Sequence, residues 1–271
     1  MANDALLPLL DEQSVRAGLS SVAAGLLVDL QVHKILDSTN AELLRRVGQG
    51  PLSGLVCVAE QQSAGRGRRG RQWVSPFASN IYLSIGWGFS SGTAALEGLS
   101  LAVGVAVAEA LEACDISGLQ LKWPNDLLFR GAKLGGILVE MVGDASGSCQ
   151  VVVGVGLNVQ MPATSASTID QAWTDLATDA GASPDRNPLL SALLNHLLPL
   201  LGYYEAEGFS VWKERWEGRN AFAGQEVVVL NGERRTVGTM QGIDDTGALR
   251  LSVGGIVQTF HGGEVSLRLA Q

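Results

Sequence analysis

The chain has 271 residues, 46% of them hydrophobic and 17% charged, and carries no low-complexity tract. That is material for one sizeable core plus a small appended unit, and it excludes an intrinsically disordered chain. A formal charge of −8 excludes a surface built throughout to hold nucleic acid, so any basic site has to be local.

Cys57, Cys114 and Cys149 are odd in number, far apart and in no CxxC pair, which argues for reduced thiols rather than disulfides or a zinc site. The opening MANDALLPLLDEQ has acids where a secretory signal needs basic residues, and no run of about 18 apolar residues occurs. A cytoplasmic protein is expected.

Residues 1–30 read as one or two helices lying over a core. Partial alternation from Leu30 to Leu36 predicts a strand, and Asp37-Ser38-Thr39-Asn40 then opens a helical pattern through Leu43, Leu44 and Val47, with a side chain of that group as cap. Leu55–Ala59 and Asn80–Trp87 read as strands separated by a polar, Gly- and Arg-rich loop. Thr93–Cys114 has the spacing of one long, mostly buried helix. Strands follow at Leu119–Trp123, Leu127–Phe129, Ile137–Val142 and Val151–Val159, and short connections make the sheet largely antiparallel.

Residues 161–185 are rich in Ala, Ser, Thr, Asp and Pro; helical spacing returns over Asn187–Tyr204 and Phe209–Trp216. After Gly218 come β-like runs at Glu226–Leu230, Thr236–Gln241, Leu249–Ser252 and Ile256–Phe260, with turns at Asn231-Gly232 and Asp245–Gly247. This tail reads as a separate small β-barrel beginning near residue 221.

The most unusual segment is QQSAGRGRRGRQW, residues 61–73, where Arg66, Arg68, Arg69 and Arg71 crowd together with no Asp or Glu between Glu60 and Glu97. Four mutually repelling guanidinium groups call for an anion, phosphate or carboxylate. Gly65, Gly67 and Gly70 satisfy GxGxxG, but a dinucleotide loop opens a helix and meets an acid about 20 residues on, whereas here Pro76 and a strand-like run follow. An Arg/Gly nucleic-acid patch normally lies in a tail or on a broadly basic face, and this one is internal. A mobile loop that folds over a phosphorylated ligand fits better.

A second cluster is Lys122-Trp123-Pro124-Asn125-Asp126, followed by Lys133-Leu134-Gly135-Gly136-Ile137. Lysines among apolar strand residues lose hydration unless they meet an anion, although an ordinary salt-bridged hairpin has the same pattern. Gly154-Val155-Gly156-Leu157-Asn158 reads as a buried strand whose glycines admit a ligand or a neighbouring backbone. His33, His196 and His261 match no metal spacing, and Trp212 and Trp216, four apart, read as core contacts of a helix.

DSTN at 37–40, GRGRRGRQW at 65–73, KWPND at 122–126, KLGGILVE at 133–140 and GVGLN at 154–158 together resemble the biotin protein ligase family in letters, order and spacing. The resemblance runs from about Leu6 to the C-terminus, where GGEVSLR at 262–268 fits the family's small terminal β-domain. It implies an α+β fold: a mixed, largely antiparallel sheet with helices, like class II aminoacyl-tRNA synthetases, plus a C-terminal SH3-like β-barrel. The implied division is a catalytic biotin/ATP-binding domain over residues 1–220 and the barrel over 221–271.

The implied reaction forms biotinyl-5′-AMP from biotin and Mg-ATP, then transfers biotin to a lysine of a biotin carboxyl carrier protein. By the same resemblance Ser38, Thr39, Asn40, Gln62, Gly65, Arg66, Gly67, Arg68 and Lys133 would hold biotin, with Arg68 and Lys133 catalytic. Lys133 would bridge the biotin carboxylate and the α-phosphate, and Arg68 would retain the adenylate. Arg68, Arg71, Trp73, Lys122, Asn125 and Asn158 would contact ATP or the adenylate, and Asp126 a Mg²⁺ ion. Read locally, Ser38–Asn40 is equally a plain helix cap.

Some family members carry an N-terminal DNA-binding domain; with about thirty-six residues before DSTN, none is expected here, and neither DNA nor a membrane is an expected partner. A homodimer is compatible with the resemblance. A lipoate or octanoate ligase on the same fold is the nearest enzymatic rival, and the arginine loop and C-terminal barrel favour biotin.

Overall fold

The computed structural model describes residues 7–143, 147–166, 168–180, 184–263 and 265–270. The expectations for residues 1–6, for part of segment 161–185 and for Glu264 within GGEVSLR lie outside the described residues.

Two short helices, α1 (Glu12–Ala17) and α2 (Ser21–Leu26), begin where Asp11 and Ser20 accept hydrogen bonds from Ser14 N and Ala23 N. Then come β1 (Asp29–His33), α3 (Thr39–Leu44), β2 (Leu55–Ala59), β3 (Ile81–Phe89), α4 (Leu99–Glu112), β4 (Leu119–Lys122), β5 (Asp126–Phe129), β6 (Ala132–Gly143) and β7 (Cys149–Leu157). Four helices follow, α5 (Ala163–Ala166), α6 (Leu176–Ala180), α7 (Arg186–Glu207) and α8 (Ser210–Glu217). The chain ends in β8 (Glu226–Asn231), β9 (Arg234–Ile243), β10 (Leu249–Val253), β11 (Ile256–Phe260) and β12 (Val265–Leu269).

The first seven strands make one sheet in the order β1-β2-β3-β7-β6-β5-β4. Only β1 and β2 run parallel, joined across α3; every other pairing is antiparallel. Its two faces differ in chemistry because side chains alternate along each strand. Val56, Val58, Leu83, Ile85, Ile137, Val153 and Val155 belong to the main core, to which α4 and α7 also contribute. Cys57 and Val152 point the other way and pack with Leu43 and Leu52 into a small second core at α3. On that second face, Ser84 pairs with Gly154, Gly154 with Leu138, and Gly156 with Gly136, so polar and small residues replace the apolar ones.

The expected single helix over Thr93–Cys114 is instead a 3-10 turn at Thr93–Leu96 followed by α4. Gly98 between them has φ +77, and a Cβ there would lie 2.3 Å from the Phe209 ring, so the helix cannot run through. Helical spacing alone does not register that local interruption.

A fully buried ion pair ties three parts of the chain together where the second-face site begins. The Arg186 guanidinium donates to Glu60 Oε2 at 2.7 Å, to the Asn80 carbonyl at 3.2 Å and to the Pro8 carbonyl, while Glu60 Oε1 accepts from Leu10 N. The end of β2 is thereby held against the N-terminal segment and the start of α7, immediately before Gln61 and Gln62.

The last five strands form an antiparallel sheet in the order β11-β10-β9-β8-β12. Gly232, at φ +57, turns β8 into β9, as the Asn231-Gly232 pair predicts. β12 has no counterpart among the expected β-runs. This sheet is in contact with the part of the chain that carries the first. Leu121 N donates to the Arg219 carbonyl and Ala221 N to the Leu121 carbonyl, Trp123 Nε1 donates to the Gly247 carbonyl, and Val227, Val229, Met240 and Leu251 share the main core. Among the described residues no helix is long and apolar enough to cross a membrane.

Candidate active site

A cavity of about 930 Å³ lies between the α3 side of the seven-stranded sheet, the arginine loop and strands of the C-terminal sheet. Thirteen of the residues singled out in the sequence line it: Ser38, Thr39, Asn40, Gln62, Arg66, Gly67, Arg68, Arg71, Trp73, Lys122, Asn125, Asp126 and Lys133. They come from the start of α3, the loop after β2, the turn between β4 and β5, and β6.

One part of the wall is uncharged and tightly hydrogen-bonded. Ser38 caps α3 by accepting from Ala41 N, which leaves its own hydroxyl hydrogen to donate. Gln62 Oε1 accepts from both Thr39 N (2.9 Å) and Thr39 Oγ1 (3.2 Å), and Gln62 Nε2 donates to Ser75 Oγ at 3.1 Å. Buried Ser84 reaches Thr39 Oγ1 at 2.7 Å and Asn40 Oδ1 at 2.5 Å. The Asn40 amide donates to Glu140 Oε2 at 2.8 Å and to the Leu138 carbonyl at 3.3 Å, so both its ends are engaged within the protein. Asp37, just outside, is clamped by both Arg45 nitrogens at 2.8 and 3.0 Å, which holds its carboxyl down at about 2.

The arginine loop is a closed hairpin, not a dinucleotide turn. Trp73 N donates to the Gly65 carbonyl and Gly67 N to the Arg71 carbonyl, with a 3-10 turn at Arg68–Gly70 and Arg69 at φ 59. Gly65 is buried behind the lining; a Cβ there would come 2.4 Å from the Trp73 carbonyl oxygen. The Arg68 guanidinium donates to Asn125 Oδ1 at 3.0 Å and to the carbonyls of Gly262 and Gly263, spanning the loop, the β4–β5 turn and the approach to β12. Trp73 lies on the glycine floor: a Cβ on Gly156 would meet its ring at 2.5 Å and one on Gly136 at 3.3 Å. Its Nε1 has no hydrogen-bond partner among the described residues.

The cationic part of the wall centres on Asp126. Lys133 Nζ approaches one carboxylate oxygen at 2.6 Å and Lys122 Nζ the other at 2.8 Å, all three side chains being 20% exposed or less. Burial pushes the Asp126 carboxyl up, but the charges of Lys133 and Lys122 outweigh it and hold the group below its ordinary value. Lys133 Nζ also sits 5.6 Å from the centre of the Trp73 ring. The Asn125 amide donates to the Ile137 carbonyl at 2.8 Å and its oxygen accepts from Arg68. Asn158, by contrast, is not brought to the cavity. It is buried, its amide nitrogen donates to the Thr174 carbonyl, and its oxygen has no partner among the described residues.

A neutral pocket beside a lysine pair, with a cationic hairpin over both, is arranged for an uncharged head group joined to anionic chemistry. Residues 32–158 match the Biotin/lipoate A/B protein ligase family, and residues 222–268 match the Biotin protein ligase C terminal domain. The Bifunctional ligase/repressor BirA of Escherichia coli (strain K12) is 43% identical over 88% of this chain and 73% of its own length. The Biotin--[acetyl-CoA-carboxylase] ligase of Mycobacterium tuberculosis is 37% identical over 97% of each chain. The chain belongs to the biotin protein ligase family. Among solved structures, the biotin protein ligase from Aquifex aeolicus in complex with biotin and ATP superposes with a TM-score of 0.76 at 30% identity, covering 90% of this chain and all of the other.

For a biotin protein ligase, three groups of residues at this wall have no role assigned from the sequence motifs. Ser84, outside every motif, and Glu140, the last residue of KLGGILVE, are brought by strand register to hydrogen-bond the lining residue Asn40. Asp170, Gln171 and Ala172 reach the cavity because residues 172–174 bond to the backbone of Lys133. Arg235 and Arg268 come from the C-terminal sheet; only Arg268 had a signal, inside GGEVSLR.

Asp126, which the resemblance implies at a Mg²⁺ site, here faces ammonium groups with both its oxygens, and among the described residues no group of three or more His, Cys, Asp or Glu could hold a metal.

Proposed function

We propose that this ligase joins biotin to a carrier lysine in two steps within the cavity described. A biotin carboxylate oxygen attacks the α-phosphorus of ATP, the bond from that phosphorus to the bridging oxygen breaks, and pyrophosphate leaves, giving biotinyl-5′-AMP. The neutral amine of a carrier lysine then attacks the acyl carbon; AMP leaves and the amine proton passes to solvent. The supporting observation is the meeting, in one cavity, of a neutral pocket built from Ser38, Thr39 and Gln62 with the Lys122–Asp126–Lys133 cluster.

The neutral pocket suits the uncharged ureido ring of biotin. Bringing a carboxylate to a triphosphate sets two anions against each other, and fixed cations lower that repulsion in the transition state. Lys133 takes the position between the two, displaced from Asp126 by the arriving anions. Lys122 and Arg71 offset charge on the departing pyrophosphate. Arg68 closes the hairpin over the adenylate and slows its escape, while Trp73 and Asn125 hold the nucleotide side. Mg²⁺, when it accompanies ATP, would offset part of the triphosphate charge.

The carrier is a biotin carboxyl carrier protein, in line with the names of the Mycobacterium tuberculosis and Paracoccus denitrificans relatives. Residues 1–220 form the catalytic unit and 221–271 the small C-terminal one, which supplies Arg235 and Arg268 to the cavity mouth.

ATP–pyrophosphate exchange tests the reading. Exchange should depend on biotin, and Lys133→Ala should lower it at least a hundredfold, the order expected when a charge-stabilising group is removed. Exchange supported by lipoate and not by biotin would refute it.

A further inference from the structure

Glu140 stands outside every role assigned above, yet its carboxylate touches both halves of the site. It lies on β6 facing the cavity side of the sheet, two residues beyond Leu138. Oε2 accepts from Asn40 Nδ2 at 2.8 Å, and Oε1 faces Arg66 Nη1 at 4.0 Å. Asn40 is pressed onto the sheet, since a Cβ on Gly154 would lie 2.3 Å from its Oδ1. From Asn40 the hydrogen bonds continue through Ser84 to Thr39, through Gln62 to Ser75, and from Ser75 Oγ to the Trp73 carbonyl at 2.9 Å. Trp73 N closes the hairpin on the Gly65 carbonyl, beside Arg66. The circuit therefore starts and ends at Glu140.

We propose that Glu140 is a positioning residue that sets the pocket floor through Asn40 and the base of the arginine hairpin through Arg66. The assignment rests on the reading that the floor receives biotin. The two contacts differ in kind. The Asn40 bond is short, part-buried and charge-assisted, whereas the Arg66 contact is long, with Arg66 half exposed. Binding should depend mainly on the first and hairpin order on the second.

Glu140→Gln keeps an acceptor for Asn40 and removes the charge facing Arg66; Glu140→Ala removes both. In biotin-dependent exchange, Glu140→Ala should raise the KM for biotin about tenfold, the loss of one hydrogen bond to a charged group, with the KM for ATP unchanged. Glu140→Gln should recover most of that. Tryptic cleavage after Arg66, Arg68, Arg69 and Arg71, mapped by mass spectrometry without substrate, should be about two- to fivefold faster in both variants. Gly154→Ala, which displaces Asn40 from the opposite side, should reproduce the KM effect without the cleavage effect.

A biotin KM unchanged in Glu140→Ala, equal shifts in biotin and ATP KM, or Glu140→Gln as impaired as Glu140→Ala would overturn the floor role. Unchanged hairpin cleavage would overturn the loop role. Should the unaltered protein show no biotin-dependent exchange, the biotin reading fails instead, and the substrate-free cleavage still decides the Arg66 half.

Discussion

Replacing Asp126 by Asn keeps the shape of the side chain and removes the charge that two lysines share at 2.6 and 2.8 Å. Two ammonium groups, 15% and 20% exposed, are then left facing a neutral amide. Removing one member of a buried charge cluster costs about 3–5 kcal/mol, and partial exposure puts this one at the lower end, about 3 kcal/mol. With an unfolding entropy of about 0.6 kcal/mol/K for a chain of this size, the melting temperature should fall by about 5 °C.

Pyrophosphate offers the lysines a replacement anion, so at millimolar concentration it should raise the melting temperature of the variant more than that of the unaltered protein. The pH dependence has a definite sign. The folded Asp126 carboxyl sits below its ordinary value, so its contribution is complete above that value and fades as pH falls through the depressed one. The variant's deficit should be full at pH 7 and close progressively below about pH 3.9, where protonated Asp126 comes to resemble asparagine. Differential scanning fluorimetry with and without pyrophosphate reads all three effects. A variant melting within 1 °C of the unaltered protein, with the same pyrophosphate response, would show that Asp126 is not the resident counter-ion of the lysine pair.

Gly156→Ala should push the Trp73 indole off the sheet, because the new Cβ would lie 2.5 Å from the ring. Overpacking of this kind costs about 1–3 kcal/mol, and the displaced ring should change tryptophan emission and weaken ATP binding; unchanged emission and ATP KM would count against the floor geometry. For the thiols, burial pushes Cys57 up to about 12, Cys57 and Cys149 are buried, and Cys114 is half-buried. An aromatic disulfide at pH 8 should therefore titrate Cys114 alone in the folded protein and all three thiols in denaturant. Labelling of Cys57 faster than global unfolding would contradict its burial.

Much of the site is legible in the sequence because its chemistry sits in short contiguous segments. Four arginines in six residues with no sequence-near acid require an anion, and two lysines inside apolar strands require a partner. The acid that faces Arg66, Glu140, is seventy-odd residues away in sequence. The lysines' partner, Asp126, is in the KWPND motif itself, where the local pattern allows a salt-bridged hairpin and the family resemblance implies a Mg²⁺ site. Strand periodicity found β2 with its bounds, β3, β4, β5 and β7 within two residues, and Ile137–Val142 of β6 but not its first five residues, which include Lys133. It could not find the break at Gly98, where the backbone turns left-handed and a ring from position 209 leaves no room for a side chain. Nor could it reveal that the C-terminal strands share the main core.

By itself the sequence determined which residue types were concentrated, in what order, and hence the family, since those properties survive in a linear string. Tertiary structure decided which side of each strand faces the cavity, and so that Ser84 and Glu140 hydrogen-bond the lining residue Asn40 while Asn158 bonds to Thr174 outside the lining. It also decided that the arginine hairpin is held by carbonyls of Gly262 and Gly263. Such facts follow from strand register and chain crossing, which join residues whose separation along the chain carries no local signal.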